Sequence, residues 1–576
     1  MAETLNKLET VNLSAYAELS RERKAQQAAG ELPDWVTTGG YQMLKEKYLY
    51  NGATLRQTFE RIADTAALHL PKHLQATYAH KFFLLMWRGW LALSTPVLSN
   101  MGTPKGMPVS CSGQYIGDSI NDFYKSYHEL AMLTKHGFGT SSNLTDIRPR
   151  GSKISSGGKA SGVLDVITSC VEDMRKVAQG TSRRGAWAGY LDIQHDDFWE
   201  VVEYLERFPD DLNIGWIIHK EFEQLLNDGA SEAHARWQRM MKVRAVTGKG
   251  YHIYIDDVNQ HRPDCYVDQG IMISASNLCT EIFLPSDNEH TFTCVLSSMN
   301  LAKFDEWKDT DAVQTSIIFL DCVASEFIKL AEGKDGFEKA VNFTKKSRAL
   351  GLGALGFHTY LQSKMVALGS FEAHMINTQI FSRLKSEAVK GSEWLAQTLG
   401  EPEWLKGYGR RNSHLLAIAP NTSSALICGG TSQGIEPWVA NVYNQQTSAG
   451  ELYRINPQFM ALAKERGRFN NDLVADILDK KGSVQHLDWL TQHEKDVFRT
   501  AYEINQKDIV RLAAVRQSFI CQGQSLNLFF DADEDEGYIS EVHQEAMENP
   551  NILALYYMRT LPGVQASKGE CVACEG

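Results

Sequence analysis

Apolar residues recur at helical spacing through the first part of the chain. "SAYAELSRERKAQQAA" (14–29) predicts a helix stopped by Gly30 and Pro33. "TLRQTFERIADTAALHL" and "QATYAHKFFLLMWRGWLALS" predict a second helical region. The pattern changes at Thr95. From there short apolar runs alternate with helical patterns, separated by Gly/Ser-rich loops such as "GSKISSGGKASG", "AQGTSRRGAWAG" and "PNTSSALICGGTSQG". This alternation predicts an α/β domain with parallel strands, in which such loops at strand ends hold ligands. No fixed-period repeat is evident. An acidic loop, "DADEDEG", precedes a last helical stretch that ends in "NILALYYMRTLPG". The terminal "VQASKGECVACEG" reads as a mobile tail, too polar and glycine-rich to pack. The predicted division is a mainly helical region over 1–94, an α/β domain over 95–548 and a C-terminal segment over 549–576.

One segment breaks the apolar pattern with reactive groups. In "SASNLCTEIFLPS" (274–286), Asn277, Cys279 and Glu281 sit at every second position between apolar flanks. In extended backbone these side chains share one face, and a bend at a loop tip would make them converge. A carboxylate beside a thiol raises the thiol pKa, which suits a thiol reacting as neutral S–H while the carboxylate moves a substrate proton. Taken alone, the triplet also fits a buried cysteine flanked by loop polars.

Other motifs are equally two-sided in isolation. Cys571 and Cys574 form a CxxC near the C-terminus; zinc would need two further ligands that the tail lacks, so thiol–disulfide exchange fits better. Tyr556 and Tyr557 are adjacent aromatics in an apolar stretch, a pattern usually explained by core packing. "GLGALG" (351–356) matches a dinucleotide fingerprint, but the preceding "FEKAVNFTKKSRAL" reads as a helix where that fold needs a strand. "PNTSSALICGGTSQGIEP" (420–437) is either an anion-binding turn or a capped one.

Bulk properties narrow the class. The 576 residues carry 43% hydrophobic and 22% charged side chains, an ordinary globular composition. Length suggests about three to five domains or one large barrel. No apolar run approaches the roughly 18 residues of a membrane helix, and the N-terminus lacks a signal-peptide pattern. A soluble, cytoplasmic protein is expected. The net charge of −12 argues against general nucleic-acid or anionic-membrane binding. Most of the ten cysteines are isolated in apolar surroundings and are expected to be reduced.

Together these pieces resemble the large (alpha, catalytic) subunit of class I ribonucleotide reductase, from about residue 33 to the C-terminus. "VSCSGQYIGDS", "ASNLCTEI", "TCVLSSMNL", "ALGLGALGFHTYLQ", "ALYYMRT" and the terminal cysteine pair occur in the family's order. The resemblance implies a ten-stranded α/β barrel of two five-stranded parallel halves, with the segment bearing Cys279 as a central finger loop. It also accounts for "GLGALG" without a dinucleotide.

What the resemblance implies can be carried over residue by residue. Cys279 would be the thiyl radical that abstracts the ribose 3′ hydrogen, Glu281 would accept the 3′-OH proton and Asn277 would bind the substrate hydroxyls. Cys111 and Cys294 would reduce the 2′ position and become a disulfide, which Cys571 and Cys574 would reduce in turn before thioredoxin or glutaredoxin resets them. Tyr557 would pass the radical to Tyr556 and on to Cys279. That relay implies a metal-containing small (beta) subunit as radical source, with no metal or cofactor bound to this chain. Substrate phosphates would meet Thr95, Ser110 and the turn Asn421, Thr422, Ser423 and Ser424, where many relatives have a hydroxyl residue in place of Asn421. Asp118, Arg148 and Arg183 sit where relatives bind a nucleotide effector (dNTP or ATP). A homodimer is expected in the active complex. The family's N-terminal ATP-cone has no room before "YQMLKEKYLY", so cone-based dATP inhibition is not expected, and the short chain suggests a reduced enzyme, in the host cytoplasm if viral.

Overall fold

The computed structural model describes residues 17–177, 185–447 and 450–560. The N-terminal part is helical, as the periodicity predicts. Thr54 closes a capping box with Gln57 and starts the helix Leu55–Ala67, which buries Leu55, Phe59, Ile62, Ala63 and Ala66. The helix Lys72–Trp87 packs beside it, and Gly89, at φ +67°, turns the chain into the first strand.

The strands are β1 (Leu91–Leu93), β2 (Cys111–Tyr115), β3 (Gly139–Asn143), β4 (Trp187–Asp192), β5 (Ile214–Ile218), β6 (Tyr251–Tyr254) and β7 (Phe292–Cys294). They continue with β8 (Leu296–Asn300), β9 (Gly351–Leu355), β10 (Val442–Thr447), β11 (Gly450–Ile455), β12 (Leu528–Phe530), β13 (Ala554–Leu555) and β14 (Met558–Thr560). A seven-stranded sheet runs β13-β6-β5-β4-β3-β2-β7. Its five central members, β2 to β6, are mutually parallel, while β13 and β7 flank them antiparallel. Helices Ile120–Lys135, Val163–Lys176, Phe198–Arg207 and Ser231–Thr247 lie in the successive crossovers.

A second sheet runs β1-β8-β9. The barrel's second half continues from β9 through isolated bridges, Leu352–Leu416 and Ile418–Gln524, rather than full ladders. The five-stranded parallel half is thus β2 to β6, whereas the other half is partly made of extended segments with single bridges. Only Val295 separates β7 from β8, so one run of chain edges the first sheet and then enters the second. The long helix Ala312–Ala331 is buried nearly all round and packs against Phe371–Leu399 behind this second sheet.

Two sequence features take a different form. The last helix stops at Glu548, and residues 552–560 are extended, pairing with β6 and β12. Pro550 cannot continue the helix, and the apolar, aromatic run after it favours a strand. The first five residues of "GLGALG" form β9, preceded by the expected helix Glu338–Ser347. A side chain at Gly353 would place Cβ 2.7 Å from the Ala417 carbonyl and 2.8 Å from Ser298 Oγ, so close strand packing explains that glycine. Among the described residues no helix is long and apolar enough to cross a membrane.

Candidate active site

Residues 275–286 form a fully buried loop without regular structure, reaching into the barrel. A buried loop must find partners for its backbone, and side chains from both halves supply them. From the first half, Ser141 Oγ donates to the Ser276 carbonyl at 2.7 Å, and the Tyr190 hydroxyl donates to the Asn277 carbonyl. From the second half, Ser525 Oγ donates to the Cys279 carbonyl at 2.6 Å, Gly523 N–H to the Glu281 carbonyl at 2.8 Å, and Gln522 Oε1 accepts from Phe283 N–H at 3.2 Å. Gly215 makes the Tyr190 contact feasible: a Cβ there would lie 2.1 Å from the Tyr190 ring.

The tip is a tight turn rather than an extended face. Thr280 N–H donates to the Asn277 carbonyl at 3.2 Å, and Thr280 adopts φ +64°, a left-handed conformation that a β-branched residue rarely takes. Asn277 Oδ1 accepts from the N–H groups of Glu281 and Ile282, both at 3.1 Å, which folds the loop back on itself. The turn, not alternation along a strand, brings Asn277, Cys279 and Glu281 together. Asn277 Nδ2 is buried without a hydrogen bond of good geometry, and the side chain lies beside the Glu281 carboxyl, whose charged form it favours.

Glu281 is 1% exposed and Cys279 4%. Burial pushes the Glu281 carboxyl up to about 8, and the proximity of Cys111 adds to the rise. The Ser525 hydroxyl, donating to Oε2 at 3.1 Å, offsets part of it. Burial therefore favours the protonated carboxyl at neutral pH.

Two further thiols face each other beside the finger. Cys111 opens β2 and Cys294 closes β7, and the antiparallel register makes them direct partners. Both are buried and neither is in a disulfide. Gly113, two residues along β2, leaves room for Phe292, whose ring would lie 2.1 Å from a Cβ at that position. Ser110 precedes Cys111, and its N–H donates to the Cys294 carbonyl at 3.4 Å.

Cys279 shares a buried cluster with Tyr190, Tyr251, Tyr556 and Tyr557. The rings of Tyr556 and Tyr557 are 4.3 Å apart between centroids, inclined at 60°. Backbone pairing fixes them: Tyr556 N–H donates to the Leu526 carbonyl at 2.8 Å, and Tyr557 N–H to Asn527 Oδ1 at 3.0 Å.

On the second half lies a wall of hydroxyls. Ser94 precedes the short helix Thr95–Asn100, and Asn421 precedes Thr422–Ile427. Ser424 Oγ donates to the Leu93 carbonyl at 3.2 Å and ties the two starts together. The hydroxyls of Ser94 and Ser423 are buried there without a hydrogen-bond partner. The Thr95 hydroxyl meets that of Tyr48 at 3.3 Å, and Thr422 Oγ1 donates to Gln433 Oε1 at 3.2 Å. The Asn421 side chain is taken up by the wall: Oδ1 accepts from Ser298 Oγ at 3.0 Å, and Nδ2 donates to the Ala419 and Ala354 carbonyls. With φ +61°, Asn421 supplies the left-handed residue of the turn, and its amide is not available to a ligand.

The ribonucleotide reductase barrel-domain model matches residues 109–231, 204–406 and 402–557, and the ribonucleotide reductase all-alpha-domain model matches 35–106. The chain belongs to the ribonucleotide reductase large-subunit family. A Frog virus 3 (isolate Goorha) relative is 34% identical over 85% of this chain and 91% of its own length. The ribonucleoside-diphosphate reductase large subunit of Invertebrate iridescent virus 3 is 30% identical over 93% of this chain and 98% of its own. The solved structure of the Actinobacillus ureae class Id ribonucleotide reductase alpha subunit superposes with a TM-score of 0.85 at 37% identity, covering 93% of this chain and 99% of that one.

In this reductase chain, the remaining residues singled out from the sequence fall in two groups. Asp118 and Arg148 are ion-paired, with Nε 2.5 Å from Oδ2, and Arg148 N–H also donates to Asp118 Oδ1 at 3.2 Å. Arg183, Cys571 and Cys574 lie outside the described residues. Among the described residues no cluster of His, Cys, Asp or Glu could hold a metal ion. Sequence reasoning missed Tyr190, Ser141 and Ser525, which reach the site from distant segments, and also Ser94. Only Ser94, adjacent to Thr95 before a proline, carried a local signal.

Proposed function

We propose that this chain is the catalytic subunit of a ribonucleoside-diphosphate reductase, converting ribonucleotides to 2′-deoxyribonucleotides by thiyl-radical chemistry. The observation that carries the reading is the juxtaposition inside one barrel of an opposed thiol pair, Cys111 and Cys294, with a third thiol, Cys279, on a buried finger beside Glu281. Membership of the reductase family supports it.

In this reading a hydrogen atom passes from Tyr556 to the Tyr557 radical, and Cys279 S–H then gives its own to Tyr556. The Cys279 thiyl takes the ribose 3′ hydrogen. Glu281, once ionised, accepts the 3′-OH proton, while Asn277 Nδ2 donates to a substrate hydroxyl. The 2′-OH leaves as water with a proton from the Cys111/Cys294 pair, whose two thiols supply two electrons and end as a disulfide. Cys279 returns the 3′ hydrogen and is again a thiyl. The balance is one ribonucleotide and two thiols giving one deoxyribonucleotide, one disulfide and water. Substrate phosphates would meet Ser94, Thr95, Ser423 and the N–H groups of the Asn421–Ser424 turn.

The proposal extends to partners. A metal-containing small subunit would generate the radical and deliver it at Tyr557. Cys571 and Cys574 would reduce the spent disulfide, then be reset by thioredoxin or glutaredoxin in the cytoplasm. Asp118 and Arg148, with Arg183, would exchange their mutual pairing for contacts to a nucleotide effector, and a second copy of the chain would complete the active complex.

The test is dithiothreitol-supported reduction of CDP with the small subunit present and absent. Reduction that needs the small subunit and vanishes in Cys279→Ser supports the proposal. Activity that survives Cys279→Ser refutes it. Serine at Cys571 and Cys574 should abolish thioredoxin-driven turnover yet spare turnover driven by dithiothreitol, and equal loss under both would remove the shuttle.

A further inference from the structure

Tyr251 stands against the tyrosine pair from the opposite strand. β6 and β13 pair antiparallel with Ala554 opposite Ile253 and Leu555 opposite His252, so the next step of the register sets Tyr556 across from Tyr251. The Tyr251 ring lies 4.7 Å from that of Tyr556 at 45° and 5.2 Å from that of Tyr557 at 81°. With 4.3 Å between Tyr556 and Tyr557, the three rings close a triangle, buried in the cluster that contains Cys279. His252, the next residue, faces the other way and contacts Trp237 and His543, as alternation along a strand requires.

Two anchors fix this triangle. Arg244, fully buried, donates from one nitrogen to the Gly250 carbonyl at 2.8 Å and the Tyr556 carbonyl at 2.7 Å. It thereby clamps together the backbone just before Tyr251 and that of the tyrosine facing it. The Tyr251 hydroxyl donates to Asn213 Oδ1 at 3.3 Å. A tyrosine oxidised near neutral pH must release its phenolic proton, and a carboxamide oxygen is too weak a base to take it. The hydroxyl is thus held in a structural hydrogen bond while the ring makes the contact with the pair.

We propose that Tyr251 is a positioning residue for radical transfer: its ring holds Tyr556 and Tyr557 in their packed arrangement, and its hydroxyl takes no part in the transfer. The inference rests on the assignment of Tyr556 and Tyr557 as the transfer pair. Displacing reacting groups by about an ångström lowers rates by up to about a hundredfold, so loss of the ring should be felt in turnover.

The experiment uses the complete enzyme, this chain with its small subunit, reducing CDP with dithiothreitol. Tyr251→Leu should lower kcat about tenfold to a hundredfold, with the KM for CDP and the affinity for the small subunit unchanged. Tyr251→Phe, which keeps the ring, should retain most of the wild-type kcat. Tyr251→Met, which fills the space without a ring, should behave like Tyr251→Leu and decides the matter if the leucine variant does not fold. Wild-type kcat in the leucine or methionine variant overturns the inference. So does a phenylalanine variant as impaired as they are, because the hydroxyl would then belong to the chemistry. Losses of kcat matched by changes in KM or subunit affinity also overturn it, marking a general packing role. Full activity of Tyr556→Phe would instead strike down the relay itself, and this inference with it.

Discussion

Cys111 and Cys294 are direct cross-strand partners in the antiparallel pairing of β2 and β7. Such partners have Cα atoms about 4.5–5.5 Å apart, inside the range of about 4.4–6.8 Å that a disulfide accepts. The pair can be oxidised without breaking the ladder that holds it. With Cys571 and Cys574 replaced by serine, a single turnover without external reductant should therefore consume two thiols per deoxyribonucleotide formed, and peptide mapping should place the new bond between Cys111 and Cys294. Serine at either position should lower dithiothreitol-supported turnover by about a thousandfold or more, the scale on which a required reacting group counts.

The Glu281 carboxyl, raised to about 8 by burial, gives a pH signature. Since kcat/KM reports the unliganded enzyme, it should rise with pH below about 8 and level off above. A flat profile between pH 6 and about 8.5 would contradict the base assignment. Stability runs the other way. A carboxyl whose folded pKa is raised contributes stability that is complete below its unfolded value, near 4.5, and is lost as pH climbs through about 8. Glu281→Gln should be inactive, yet gain on the wild type by about 1.4 kcal/mol per pH unit within that window, measured by urea unfolding.

Tyr190 and Gly215 form one device that holds the finger. Tyr190→Phe removes the bonds to the Asn277 carbonyl and to Thr280 Oγ1, and should cost about 1–3 kcal/mol of stability. Gly215→Ala drives a methyl group into the Tyr190 ring and should cost about 1–3 kcal/mol by overpacking. Both should lower kcat about ten- to a hundredfold through a displaced Cys279, as steady-state assays would show.

Ser94 and Ser423 carry buried hydroxyls without partners, which a phosphate oxygen would satisfy. Alanine at either should weaken CDP binding by about 1.5–3 kcal/mol, the worth of a hydrogen bond to a charged group. KM should rise accordingly with little change in kcat, because the phosphates are bound alike before and during the reaction. Asn421→Ala should instead lower thermal stability, since its amide bonds only the barrel wall.

How much of this was legible in the sequence depended on whether a feature was local. The parallel α/β half, the first helices and the reactive residues of "ASNLCTEI" were readable because period, caps and motif lie within a few residues of one another. The tip geometry was not. Asn277 reads as a polar residue on an extended face, but its Oδ1 folds the loop, and nothing local predicts left-handed Thr280. Tyr556 and Tyr557 lie in a link between β13 and β14 that reads as helical in the sequence and is held extended by the pairing of those strands with β6 and β12. Tyr190, Ser525 and Tyr251 reach the site from segments far apart in sequence, so only the closed barrel reveals them.

The finger loop has no secondary structure of its own and draws hydrogen bonds from Ser141 and Tyr190 on one side and from Gln522, Gly523 and Ser525 on the other. Those segments are separated by more than 300 residues, so the loop cannot settle until both have been made and brought together. Its assembly is a late event in maturation. A nascent or half-finished chain has no thiol aligned with a tyrosine pair and a carboxylate, so the capacity to handle a radical arises only in a molecule that is otherwise complete.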